Sequence, residues 1–228
     1  MIKGVLFDFN GTMFKDSTFN EAAWLAFAEK EAHKKLSREA FDQHVHGKNN
    51  RLVLEYLFER PFTKAAALQW GEKKEDIYRD MVRSHPKEAH LTAGLPELLD
   101  FLQAEKIPFN IATAAGKGNL DFYFERFDLA KWFAYEQIVY DNGERQSKPA
   151  PDYYLAAAAK IQVPASDCLV FEDSLSGIQA AHNAAAAKIF AITTNDNGAQ
   201  LAALPQVAGV IDDFTDSRIR DVLMARKD

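Results

Sequence analysis

The chain has 228 residues, room for one large domain or two modest ones at about 100–200 residues each. It is 47% hydrophobic and 12% aromatic, which suffices for a sizeable core and excludes a disordered chain. With 27 Lys and Arg against 33 Asp and Glu, the net charge is −6, so the basic face of a nucleic-acid binder is not expected.

Ile2 to Phe9 is a short apolar run closed by the turn pair Asn10-Gly11, and reads as a buried strand. Asp8 interrupts it too early for a signal peptide, and no apolar run approaches the roughly 18 residues of a membrane span. The lone Cys168 excludes a disulfide framework and a cysteine-based zinc site, so a soluble cytoplasmic protein is expected, with no nucleic-acid or membrane partner. From Asp16 to about His90 the periods are helical. Phe19, Ala23 and Phe27 follow a Ser17 cap, and Ser37 caps a second helix carrying Phe41 and Val45. Leu52, Val53, Tyr56 and Leu57 form a third stripe ended by Pro61, and Trp70, Ile77, Tyr78, Met81 and Val82 a fourth, stopped near Pro86. Five of the six histidines fall in this stretch, without metal-ligand spacing, and read as surface residues.

Beyond it, Leu95, Leu98, Leu99 and Leu102 make an amphipathic helix, followed by a strand at Phe109–Thr113. Helical patterns near 117–127, 151–161, 175–185 and 198–204 then alternate with apolar runs at Gln137–Tyr140, Cys168–Glu172, Lys188–Ile192 and Val207–Ile211. Such alternation predicts an α/β fold, a doubly wound parallel sheet built from βαβ units. The first strand has no local partner. Residues 1–14 and 94–228 are therefore expected to form the α/β core, and 15–93 an inserted all-helical domain.

In such a sheet, ligands bind at the carboxyl ends of the strands. Those ends present Asp8, Thr113 and the pair Glu172-Asp173, with Lys148 in Ser147-Lys-Pro-Ala-Pro just before a helix. Each alone is open to a plain reading: a turn aspartate, a helix-capping threonine, a solvated lysine, an acidic helix start. Together they are a nucleophile, a hydroxyl and a cation for phosphoryl oxygens, and acids to hold Mg²⁺, the inventory phosphoryl transfer requires.

Asp8-Phe-Asn-Gly-Thr12, Thr113 after Phe-Asn-Ile-Ala, Ser147-Lys148-Pro-Ala-Pro-Asp and Glu172-Asp173-Ser-Leu-Ser-Gly-Ile178 resemble, in order, the four motifs of the haloacid dehalogenase superfamily. The texture is similar to its β-phosphoglucomutase-like and small-phosphatase branch, and the helical insert resembles that superfamily's mobile cap. The resemblance implies a Mg²⁺-dependent phosphatase of a small phosphorylated metabolite, acting as a monomer or weak dimer. Asp8 would attack phosphorus and form an aspartyl-phosphate. Thr113 and Lys148 would hold the phosphoryl oxygens, with Ala114 beside the substrate. Asp8, Asp173 and the Asn10 carbonyl would bind Mg²⁺, and Glu172 would act through a metal-bound water or by orienting Lys148. In the cap, Lys48, Arg51 and Lys74 would meet the substrate.

The chain departs from that pattern at Asn10, where the phosphatases carry a second Asp that cycles a proton. An amide orients a group but cannot exchange a proton near neutral pH, and general acid–base catalysis is worth about 10²–10⁴-fold. Asn10 therefore points to an attenuated phosphatase, or to a substrate whose leaving group needs no proton. A sugar-phosphate mutase is the first alternative, weakened by Asn20 where the mutase has a cap His. A phosphometabolite-binding protein with little turnover is the second. Dehalogenase chemistry is disfavoured by the Glu172-Asp173 and Lys148 set, and phosphonate cleavage by the context of Lys48.

Overall fold

The structure, a computed structural model, describes residues 1–45, 50–194 and 197–225. In chain order, β1 (Gly4–Phe7) is followed by α1 (Ser17–Ala32), α2 (Arg38–His44), α3 (Asn50–Phe58) and α4 (Lys64–Ser84). Then come α5 (Leu95–Ala104), β2 (Phe109–Gly116), α6 (Lys117–Phe127), β3 (Val139–Asp141) and α7 (Asp152–Lys160). The remainder is β4 (Cys168–Glu172), α8 (Leu175–Asn183), β5 (Lys188–Ile192), α9 (Gly198–Ala202), β6 (Gly209–Ile211) and α10 (Ser217–Met224). The chain divides into two compact units, Met1–Lys15 with His90–Asp228, and Asp16–Ala89.

The first unit is built on a six-stranded, all-parallel sheet in the order β3-β2-β1-β4-β5-β6. The short strand β1 sits centrally because Val5, Leu6 and Phe7 are all fully buried and apolar, as a strand covered on both faces must be. Its partners come from far down the chain: Val5 lies opposite Phe109 on one side and Leu169 on the other. Helices cover the sheet closely where their inward residues are small. Ala157 and Ala158 of α7 and Ala180 and Ala181 of α8 pack with Leu6, Val170 and Ile178 in one apolar cluster. Parallel pairing brings every strand's carboxyl end to one rim. The six expected strands all form; β2 runs on to Gly116, with an irregularity in register past Ala112.

Among its described residues the second unit is helical. Trp24, Phe27, Val53, Leu54, Leu57 and Phe62 form its core. The Ser37 hydroxyl caps α2, accepting from Ala40 N at 3.1 Å, and Thr63 caps α4 in the same way. The expected Ser17 cap does not form: Asp16 occupies the cap position, and its carboxylate makes no capping bond. That carboxylate instead accepts from the buried Tyr78 hydroxyl at 2.7 Å, a partner 62 residues away. The inward face of α3 is also rotated from its expectation. Leu52 is exposed, and Leu54 joins Val53 and Leu57 inside, the face turned to α1 and α4. Helix α10 has no counterpart in the sequence reading, because only Ile219 and Leu223 of this charged segment are buried.

Candidate active site

The carboxyl end of β1 delivers Asp8, whose backbone N–H donates to Phe171 O of β4 at 3.0 Å. The chain then turns: Gly11 N–H donates to Phe14 O at 2.7 Å, and Gly11 sits at φ +80. A side chain is also barred there by contact, since a Cβ on Gly11 would lie 2.0 Å from Asp173 Oδ2. The turn after Asp8 and the acid after β4 are therefore pressed together.

Strand β4 ends at Glu172, 1% exposed, and both of its carboxylate oxygens are engaged. Oε1 accepts from Lys148 Nζ at 2.6 Å; Oε2 accepts from Ser174 N at 2.7 Å and from Ser174 Oγ at 3.0 Å. A Cβ on Gly177 would meet Oε1 at 1.6 Å, so the first turn of α8 is shaped around this side chain. Ser174 caps that helix by accepting from Gly177 N at 3.0 Å.

Lys148 joins the two strand ends. Its Nζ lies 2.6 Å from Asp8 Oδ1 as well as from Glu172 Oε1, and its side chain is only 7% exposed. The Tyr154 hydroxyl is 3.3 Å away, and the ammonium stands 4.9 Å from that ring's centroid. The plain reading of a solvated lysine does not hold. Burial works against the Lys148 charge, but the Asp8 and Glu172 carboxylates outweigh it and hold the ammonium well above its ordinary pKa. Burial, followed by the Glu172 charge, pushes the Tyr154 phenol up as well.

Asp8, Glu172 and Asp173 each offer a carboxylate oxygen, and these oxygens lie within 4.8 Å of one another. Three hard oxygen donors around one small space suit Mg²⁺ in chemistry. Asn10, half-buried, donates from Nδ2 to the Tyr123 hydroxyl at 2.7 Å. Thr113, 1% exposed, lies within β2 rather than capping a helix, and its Oγ1 accepts from Ala115 N at 3.0 Å, which keeps its own proton for donation. Ala114, next along, is exposed.

The helical unit presents its candidates differently. Arg51 is exposed and pairs with Glu55 at 3.6 Å along α3. Lys74 is 3% exposed, bonded to Asn20 Oδ1 and, at 3.0 Å, to Glu75 Oε1. Lys48 lies outside the described residues, as does His46; the four other histidines of the stretch, His33, His44, His85 and His90, are exposed. Two contacts escaped the sequence reading. Tyr154 follows Lys148 by six residues and carried no signal. Tyr123 meets Asn10 across 113 positions, which no local pattern reveals.

Residues 2–185 match the family model of a haloacid dehalogenase-like hydrolase. The chain is similar to a phosphorylated carbohydrates phosphatase of Thermotoga maritima, 26% identical over 208 residues, 89% of this chain and 91% of that protein. It is also similar to hexitol phosphatase A of Escherichia coli, 28% identical across 77% of this chain and 76% of the relative. Among solved structures, a HAD hydrolase of family IA, variant 3, from Entamoeba histolytica superposes with a TM-score of 0.91. That match is at 30% identity and covers 97% of this chain and 98% of the other.

Proposed function

The chain belongs to the haloacid dehalogenase-like hydrolases, and from that membership we propose that it hydrolyses a phosphate monoester of a small metabolite, a phosphorylated sugar or sugar alcohol, with Mg²⁺. One observation carries the reading: Lys148 Nζ stands 2.6 Å from both Asp8 and Glu172, binding residues from distant stretches into one buried site beside Asp173. The relatives named for phosphorylated carbohydrates and hexitols support the substrate class.

Asp8, Glu172 and Asp173 would hold Mg²⁺, together with the backbone carbonyl of Asn10; when bound, the ion offsets negative charge on the phosphoryl oxygens. An Asp8 carboxylate oxygen attacks phosphorus, the bond to the leaving oxygen breaks, and the departing alkoxide takes its proton from water. Water then attacks phosphorus, the bond to Asp8 breaks, and phosphate leaves with the carboxylate restored. Lys148, held protonated, and the Thr113 O–H donate to the phosphoryl oxygens. Asn10 orients the reacting oxygen but cannot transfer a proton, so protonation of an alkyl leaving group and activation of water are both slow.

The test is phosphate release across a panel of sugar, sugar-alcohol and nucleotide monophosphates, with Mg²⁺ and again with a chelator. Release that requires Mg²⁺ is expected. Undiminished release in chelator refutes the metal's role, and release from no ester refutes the hydrolase reading. Dependence on a bisphosphate activator with little phosphate released would mark a mutase. Asn10 also favours a second reading, a phosphometabolite-binding protein, whose signature is calorimetric binding without turnover.

A further inference from the structure

We propose that Tyr123 is a positioning residue that sets the orientation of the Asn10 side chain. Tyr123 lies on α6, fully buried, at the end of the core where β1 and β2 finish. Its ring stacks on Phe9, the residue before Asn10, with centroids 4.2 Å apart and planes at 16°. Phe122 and Phe127 flank it at 5.9 and 6.4 Å. A ring so enclosed has little rotamer freedom, and its hydroxyl is delivered 2.7 Å from Asn10 Nδ2.

The chemistry of that contact decides what Asn10 offers. The two arms of an amide have nearly the same shape but opposite hydrogen-bonding sense, and only a fixed partner distinguishes them. The phenol oxygen accepts from Nδ2, so the donor arm is committed to the core and the acceptor arm, Oδ1, is set on the other side. An acceptor there takes a hydrogen bond from the water that attacks the phosphoryl group on Asp8. Burying a phenol where phenylalanine would fill the same space is unfavourable unless the hydroxyl is bonded, and here the bond reaches a loop that carries the chemistry. The inference rests on the hydrolase reading for its kinetic consequence, but not for the contact itself.

Tyr123→Phe keeps the ring and removes only the hydroxyl. On an alkyl phosphate ester, kcat should fall about tenfold, the worth of one oriented hydrogen bond, with KM within about twofold and the melting temperature lowered by no more than about 4 °C. In an Asn10→Ala background the same substitution should cost nothing further, because its effect passes through the amide. An unchanged kcat, or an equal loss in both backgrounds, overturns the proposal. A second measurement is independent of turnover. The Asn10 side-chain NH₂ resonances, identified by their disappearance in Asn10→Asp, should shift and exchange with water at least about tenfold faster in Tyr123→Phe. If they do neither, the proposal fails whatever the activity. If they do both while no ester turns over, the positioning contact stands and the hydrolase reading fails.

Discussion

Each of the two units buries a lysine, by opposite means. In the helical unit, Lys74 lies against the Asn20 amide, the Glu75 carboxylate, and the rings of Trp24 and Tyr78 at 5.3 and 5.4 Å. That ammonium has exchanged water for one counter-charge, an amide and two ring faces, and is satisfied within its own unit. In the α/β unit, Lys148 stands among three carboxylates, two of them bonded to it at 2.6 Å. Three carboxylates gathered beside Lys148 concentrate negative charge at this rim. The helical unit thus buries its lysine against a carboxylate, an amide and two rings, whereas the sheet rim gathers carboxylates beside its lysine in a group that could hold a metal ion.

The largest expected effect falls on the nucleophile. Asp8→Asn should abolish phosphoenzyme formation, read by mass spectrometry of acid-quenched protein, and weaken Mg²⁺ binding, because the proposed mechanism gives one carboxylate both roles. Full turnover by that variant would remove the basis for treating the sheet rim as the chemical half of the comparison.

The two lysines can be set directly against each other by denaturant unfolding in chelator. Lys148→Ala leaves Glu172 buried without its cation and should cost about 3–5 kcal/mol, with part of the loss recovered on adding Mg²⁺. Lys74→Met should cost less, about 1–3 kcal/mol, with no recovery by Mg²⁺. Equal losses, or recovery in both, erase the distinction. Lys148 and its neighbour Tyr154 also have a pH signature. Lys148 is held above its unfolded pKa by Asp8 and Glu172 against the cost of burial, and Tyr154 above its own by burial. The stability each contributes is complete below the unfolded value and is lost as pH rises through the folded one. The Lys148 contribution should therefore be constant across neutral pH and decline only above about pH 10.4. Lys148→Ala should lose less stability than the unmodified protein over that alkaline range.

Asn10→Asp should raise turnover of alkyl phosphate esters by about 10²-fold, and of aryl or acyl phosphates by less in the phosphorylation step, since their leaving groups need little protonation. Absence of gain on every ester, with Mg²⁺ still bound, means that Asn10 is not an attenuation. Mass spectrometry must exclude spontaneous deamidation at Asn10-Gly11, which yields the same residue. The smallest structural effect is expected at Arg51. Its exposed pair with Glu55 is worth about 0.3–0.5 kcal/mol, so Arg51→Ala should scarcely move stability. If Arg51 meets a second anionic group of the substrate, KM for a doubly anionic ester should rise while that for a neutral-ended ester stays. Equal changes in both would assign Arg51 to the surface alone.

The sequence by itself determined the strands and most helices, because continuous apolar runs follow from burial on both faces of a sheet and a period of 3.6 residues from burial on one face of a helix. It also made Asp8 and the pair Glu172-Asp173 legible at the strand ends, together with Thr113 and with Lys148 before α7, although β2 runs on past Thr113 to Gly116. What it could not determine were contacts decided by the packing of remote segments. Lys148 meets Asp8 across 140 positions, Asn10 meets Tyr123 across 113, and Asp16 abandons a helix cap for Tyr78 across 62. The inward face of α3 and the existence of α10 belong to the same class, since in each a modest local preference yields to the neighbour it packs against. A side-chain polar group goes to whichever partner the folded backbone brings within hydrogen-bond reach, and once water is excluded that bond outweighs any local alternative.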